Sequence, residues 1–429
     1  MRRVAALLGL LVLASTAPAE ATSPPLIGVN YTHVAFPNCS LDDTGIVLTY
    51  DEPGVRTKVR RQLAAMRAAG IQTLRLLLWH VTDADTMRWG VVSSGGGHLA
   101  EPYRSNLIHY LGDVRRTGFA QLTLVFAPEG ANMPLGGFYD PATFEENWEF
   151  IRDVRPLLKE YGPASTRVDL VNEGAPPAWE SPEILAGAEG YITKMWSNYV
   201  DAFGSEDASF SSVGADGPYD TAARVQNLVD ALRASGRPLP RWFDVHPPYD
   251  HDGMLAVLRA VDTMLTANGL SQPLVVGETA YDDAGVADAI AQFRAESARP
   301  ILEVMAWPLR AGSQCEVSAP YRADAYITGL TGAAPPAVLQ AIVMRSGLIL
   351  RTSYGDRVTA LEAGRYTVRV RDGSAGKDFH LVGPGVNRRT GLAFTGRTSW
   401  TVELKRGTYR YRSDRALATT RSFVVLTPG

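Results

Sequence analysis

The chain has 429 residues, of which 45% are apolar and 20% charged, and a formal net charge of −3. That composition excludes a chain disordered throughout, and the length exceeds what one ordinary core organises, so a large domain with a smaller companion is expected. The small net charge conceals a basic end: 16 Lys and Arg stand against 6 Asp and Glu from Gln340 onward, which leaves the preceding residues at −13.

In chain order, Arg2 and Arg3 precede an apolar run from Val4 to Ala14, and the small residues that follow offer Ala17-Pro-Ala19 or Ala19-Glu-Ala21 for cleavage. This is the pattern of a secretory signal peptide over 1–21, too short to cross a bilayer as a helix. No later stretch is long and apolar enough to span, so a secreted or periplasmic protein is expected.

Helix-like segments that end in Gly and pass at once into apolar extended runs then recur, as in "AAMRAAGIQTLRLLLWH" and "LTANGLSQPLVVGETA". Gly suits the left-handed residue that closes a helix, and the alternation predicts parallel strands joined by crossover helices. Eight strands are predicted: Leu26–Tyr31, Thr73–Trp79, Leu122–Ala127, Val168–Asn172, Ala208–Gly214, Trp242–His246, Leu274–Glu278 and Ile301–Trp307. Over 22–330 they fit an α/β chain folded as a (β/α)8 TIM barrel. An open doubly wound sheet is the rival, but no Gly-rich phosphate loop follows the first strand. The links from strand to helix are long after strands one to four, on the rim where such barrels build their active sites. Closure makes the first and last strands neighbours, which makes a Cys39–Cys315 disulfide plausible.

On that rim, strand four ends in Asn172-Glu173 and strand seven in Glu278. Two carboxylates facing across a cleft suit hydrolysis of a glycosidic bond: one donates a proton to the leaving oxygen, the other attacks the sugar or activates water. The alternative for each is a helix cap or an ion pair. Arg75, set among leucines, needs a carboxylate partner if buried, and Glu278 is the expected one. His246 and Tyr249 close strand six with groups able to hydrogen-bond a carboxylate, and Trp307 offers a flat apolar face to a sugar ring. HExxH and Gly-x-Ser-x-Gly are both absent, so neither a metal site nor a serine hydrolase is expected, and no cofactor is implied.

The ordered set "TLRLLLWH", "LVNEG", "FDVHPPYD", "VVGETA" and "VMAWPL" resembles the clan A glycoside hydrolases, retaining (β/α)8 enzymes that include many cellulases and mannanases, over roughly residues 24–330. The resemblance implies that Glu173 is the acid/base, that Glu278 is the nucleophile, and that Asn172 binds the substrate 2-hydroxyl. It further implies a β-linked poly- or oligosaccharide as substrate. The His-x-Tyr that many members carry on strand six reads His246-Pro-Pro-Tyr249 here. Their strand-three His is missing from "FAPEG", which leaves Glu129 or His80 for that space. A non-catalytic carbohydrate-binding protein on the same scaffold is the competing reading.

After a linker expected at 331–340, the runs "GRYTVRVRDG" and "TSWTVELKRGTYRYRS" alternate apolar and polar residues, which predicts a small antiparallel β-sandwich over 341–429. The stretch "DGSAGKDFHLVGPGVNRRTG…TSWTVELKRGTYRYRSDRA" resembles plastocyanin-like (cupredoxin) domains. The copper motif "YxCDPH" of that family reads Tyr411-Arg-Ser413-Asp-Arg-Ala416 here, and Lys377 stands where "HNFHL" begins, leaving only His380. Without the thiolate and the second imidazole, a copper-free domain is expected. Its basic surplus is either a solvated surface or an attachment to an anionic cell-envelope polymer. A monomer with a carbohydrate substrate and no nucleic-acid partner is expected.

Overall fold

The computed structural model describes residues 23–33, 45–84, 90–134, 140–177, 179–214, 217–279, 283–307, 323–332, 337–352 and 357–427. The signal-peptide segment and both cysteines, Cys39 and Cys315, lie outside the described residues.

Eight parallel strands form the barrel: β1 Leu26–Asn30, β2 Thr73–Val81, β3 Gln121–Pro128, β4 Ser165–Asp169, β5 in two halves (Ala208–Ser209 and Ser211–Val213), β6 Phe243–His246, β7 Leu274–Thr279 and β8 Ile301–Ala306. The helices that follow them are α1 Val55–Ala68, α2 Tyr103–Thr117, α3 Pro141–Tyr161, α4 Pro182–Phe203, α5 Pro218–Ala234, α6 His251–Ala267, α7 Ala284–Glu296 and α8 Asp324–Thr331. β1 pairs with both β2 and β8, so first and last strands meet as the expected closure requires. β5 completes the ring by changing partners at the buried Phe210. Its first half pairs with β4 and its second with β6. The serines that made this strand weakly apolar bond to the backbone, as when Ser209 Oγ donates to the Trp242 carbonyl at 3.0 Å. The fold is a (β/α)8 barrel followed by an all-β domain.

Caps fix where the strand-exit segments end. Asp140, Ser181, Asp250 and Asp283 each accept backbone N–H bonds at the start of α3, α4, α6 and α7, and Pro141 and Pro182 occupy first-turn positions where no donor is lost. At the opposite end of the barrel the fully buried Glu303 accepts bonds from Arg167, Gln121 and Thr73, and Arg167 lies 4.5 Å from the Trp242 ring centroid. A buried carboxylate so fully paired closes that end, and the chemistry is left to the other rim.

One expected boundary moves. β4 ends at Asp169, so Asn172 and Glu173 sit on a turn beyond the strand rather than at its last positions. The departing backbone still holds both neighbours: the Leu170 amide donates to Ser209 O at 2.9 Å and the Asn172 amide to Phe126 O at 2.9 Å. The two side chains therefore remain on the rim.

The second domain has its own core, built from residues such as Leu339, Val368, Phe379, Tyr409 and Phe423. Its strands are β9 Ala337–Met344, β10 Gly347–Thr352, β11 Ala360–Glu362, β12 Gly364–Asp372, β13 His380–Gly383, β14 Val386–Arg389, β15 Gly396–Leu404, β16 Gly407–Arg412 and β17 Arg421–Leu426. They form two sheets, in the orders β10-β9-β12-β15 and β11-β17-β16-β13-β14. The expected sandwich is not wholly antiparallel, since β9 pairs β12 and β11 pairs β17 in parallel. The chain visits β11 in the other sheet before returning as β12, which brings it back in the direction it left. β9 begins at Ala337, within the segment expected as linker. His380 Nδ1 and Nε2 lie 2.7 Å from Asp414 and Asn387 oxygens, and Ser413 donates to Asp378 at 2.9 Å, so these side chains are committed to hydrogen bonds.

Candidate active site

Arg75 is the hub. A guanidinium in the middle of an apolar strand must find acceptors, and this one is almost fully buried. Its Nη1 donates to Glu278 Oε1 at 2.6 Å and to Asn30 Oδ1 at 3.1 Å. Its Nη2 donates to Asp169 Oδ2 at 3.0 Å and to Asn172 Oδ1 at 2.9 Å. Strands β1, β2, β4 and β7 are thereby tied together across the barrel mouth. Burial alone would lower the Arg75 pKa, but Glu278, Asp244 and Asp169 outweigh it and hold the group firmly protonated.

Glu278 is oriented from two sides, with Arg75 on one oxygen and the Trp307 indole N–H on the other at 2.9 Å. The ring expected only as a sugar platform thus also holds a carboxylate. Glu173 is the only non-glycine residue with a positive φ among the described residues, at 52°. That left-handed conformation is unusual for such a side chain, and the Glu173 amide is pinned by donation to Ser211 Oγ at 2.7 Å.

His246 lies between the two glutamates. Its Nδ1 is 3.1 Å from Glu173 Oε1 and 3.7 Å from Glu278 Oε1, while its Nε2 is 3.4 Å from Arg75 Nη2 and 3.7 Å from Asp244 Oδ1. One oxygen of Glu173, one oxygen of Glu278 and a ring nitrogen of His246 all fall within 4.8 Å of one another. Burial would raise Glu173, but the hydrogen bond to His246 and the charges of His246, Arg75 and Arg224 lower it below the ordinary carboxylate value. Burial would lower His246, and Glu278 together with the Glu173 bond raises it instead. Asp244 is pushed up to about 7, chiefly by burial. Gly277 lets Asp244 come close: its amide donates to Asp244 Oδ1 at 2.9 Å, and a Cβ there would fall 2.4 Å from that same atom.

The predicted residues divide clearly. Arg75, Asn172, Glu173, His246, Glu278 and Trp307 are brought together. His80 is buried against Phe150, with ring centroids 4.5 Å apart, and burial pulls its pKa down to about 3. No hydrogen bond among the described residues joins His80 or the half-buried Glu129 side chain to the carboxylate pair. Tyr249 is 51% exposed on the segment after β6. The sequence reading missed Asn30, Asp169, Asp244 and Ser211. The signal for the two acids was a lone Asp inside each of the apolar runs "RVDLV" and "WFDVH".

Glu173, His246 and Glu278 would also fit round a cation by distance alone. The Arg75 charge, 2.6 Å from Glu278 and permanently present, argues against one.

No family model matches the chain, and no curated protein matches it. Among solved structures, it is similar to GH5_18 from Bifidobacterium longum at 11% identity and a TM-score of 0.47, with 76% of this chain and 85% of the other covered. An exo-β-1,4-mannosidase from an Opitutaceae bacterium gives 14%, 0.46, 75% and 62%, and a glycoside hydrolase 5 lichenase from Caldicellulosiruptor gives 14%, 0.44, 72% and 92%. At such scores the likeness carries no argument about substrate, and function rests on the residues just described.

Proposed function

We propose that the barrel is the catalytic domain of an exported retaining glycoside hydrolase that cleaves a β-linked poly- or oligosaccharide. The observation that carries this is that one oxygen of Glu173, one oxygen of Glu278 and a ring nitrogen of His246 lie within 4.8 Å of one another on the rim. Retaining enzymes hold their carboxyl groups about 5–5.5 Å apart, and inverting ones about 6.5–9.5 Å apart to admit a water.

In this mechanism Glu278, held by Arg75 and Trp307, attacks the anomeric carbon as the glycosidic C–O bond breaks and Glu173 gives its proton to the leaving oxygen. Glu173 then takes a proton from water, whose oxygen attacks the same carbon and releases Glu278. Proton NMR of the first product tests the assignment. The β anomer is expected before mutarotation, and an α product would replace double displacement with inversion.

A pH dependence follows from the His246 contact. The leaving oxygen needs a protonated Glu173, and His246 favours the carboxylate, so kcat/KM falls as pH rises through the acidic range. His246→Gln removes the charge, raises the Glu173 pKa and moves that falling limb to higher pH. A pH–rate profile with the limb unmoved, or moved lower, would contradict the coupling.

A further inference from the structure

Charge separates the two outer faces of the second domain. Val368 and Val370 of β12 belong to the core, so the alternate residues Arg369 and Arg371 point outward, and both are exposed. The register extends the pattern across the sheet. Arg371 stands directly opposite Arg397 of β15. Arg369 lies between Ser399 of β15 and Gln340 of β9, and Arg351 of β10 lies beyond Gln340. Four exposed arginines thus share two adjacent rows of one face, with about 4.8 Å between strands and about 7 Å between rows. The one outward acid in the β12–β15 pairing is Glu403, opposite Arg365 at the far end.

A face that is only solvated would intersperse the two signs, because like charges set directly opposite on a sheet repel and cost stability. The rest of the chain follows that rule. On the barrel, Arg60 lies 2.9 Å from Asp113, Arg152 2.9 Å from Glu149, Arg237 2.7 Å from Asp201 and Arg259 2.6 Å from Glu296. On the other outer face of the second domain, Arg389 and Arg412 each lie 3.4 Å from Asp414. Among the described residues no ion pair reaches Arg369, Arg371 or Arg397. Their acid is to be supplied from outside the chain.

We propose that this face docks an acidic polysaccharide, whose carboxylates take the forks of Arg369, Arg371 and Arg397. A guanidinium is charged at every working pH and binds a carboxylate through two parallel hydrogen bonds. The remaining outward positions suit the hydroxyls of such a polymer: Ser399 and Thr401 on β15, Thr367 on β12 and Gln340 on β9 offer hydroxyl and amide partners between the charges. No outward position of β12 or β15 carries an aromatic or large aliphatic side chain. A single-stranded nucleic acid therefore finds no ring on which to stack its bases, and a lipid surface finds nothing to bury. The face uses no residue of the barrel, so the proposal stands or falls apart from the glycosidase reading.

Affinity electrophoresis of the full chain in native gels cast with polygalacturonate tests it. The wild-type protein is expected to be retarded, less so as salt is added. A triple variant with Arg369→Gln, Arg371→Gln and Arg397→Gln loses about ten- to hundred-fold in affinity. A second triple, with Arg389→Gln, Arg410→Gln and Arg412→Gln on the other face, removes the same charge and stays near the wild-type value. Equal losses in the two triples would reduce the effect to net charge and overturn the docking face. So would a wild-type protein that is not retarded, or one that binds a single-stranded oligonucleotide or phosphatidylglycerol vesicles more tightly than polygalacturonate. Arg371→Gln alone relieves the repulsion with Arg397, so its unfolding midpoint is expected at or above that of wild type. A lowered midpoint would show that these arginines serve the fold, and would overturn the proposal.

Discussion

Glu278→Ala loses turnover by on the order of 10⁴-fold or more in the proposed mechanism, because the covalent intermediate has nothing left to form on. The fold is expected to survive. Arg75 keeps Asp169 at 3.0 Å and Asn30 and Asn172 at 3.1 and 2.9 Å, so its charge is not orphaned by the change. The measurement is kcat on a cleaved glycan, with circular dichroism to show that the variant is folded. A folded variant that retains the wild-type rate sinks the assignment. A wild-type protein that binds glycans and cleaves none leaves a binding module in its place.

Arg75→Met is expected to have the largest effect on stability. It strands Asp169, Asp244 and Glu278 round a thioether that can neutralise none of them, and breaking buried pairs in this way costs about 3–5 kcal/mol. Denaturant unfolding at neutral pH reads the loss. The deficit shrinks as pH falls, because the stranded carboxylates take up protons that the unfolded chain holds less tightly. Arg75→Lys recovers only part, since one ammonium cannot span the four acceptors that two guanidinium nitrogens reach. A midpoint within error of wild type would show that the hub is not structural.

The barrel was legible because its signals are local and repeat: a helix closed by Gly, then a strand-length apolar run. The pairing of Arg75 with Glu278 was legible too, since a buried guanidinium has few possible partners. Three features were not. β4 stops short of Asn172, and what then holds the turn on the rim is its contacts to Ser209 and Phe126, which are distant in sequence. Asp169 and Asp244 looked like ordinary strand residues until closure of the ring placed them beside Arg75. Likewise the parallel pairing of β9 with β12 depends on the path taken through a second sheet, which alternation of apolar residues does not encode.

The divided strand β5 has a mechanical outcome. It grips β4 over two residue pairs, the shortest join in the circumference, and β6 over three. Ser211, which anchors the Glu173 amide, is part of that seam. Warming is therefore expected to slacken Glu173 before Glu278 on its six-residue strand, so that activity is lost at a lower temperature than the circular-dichroism signal of the fold.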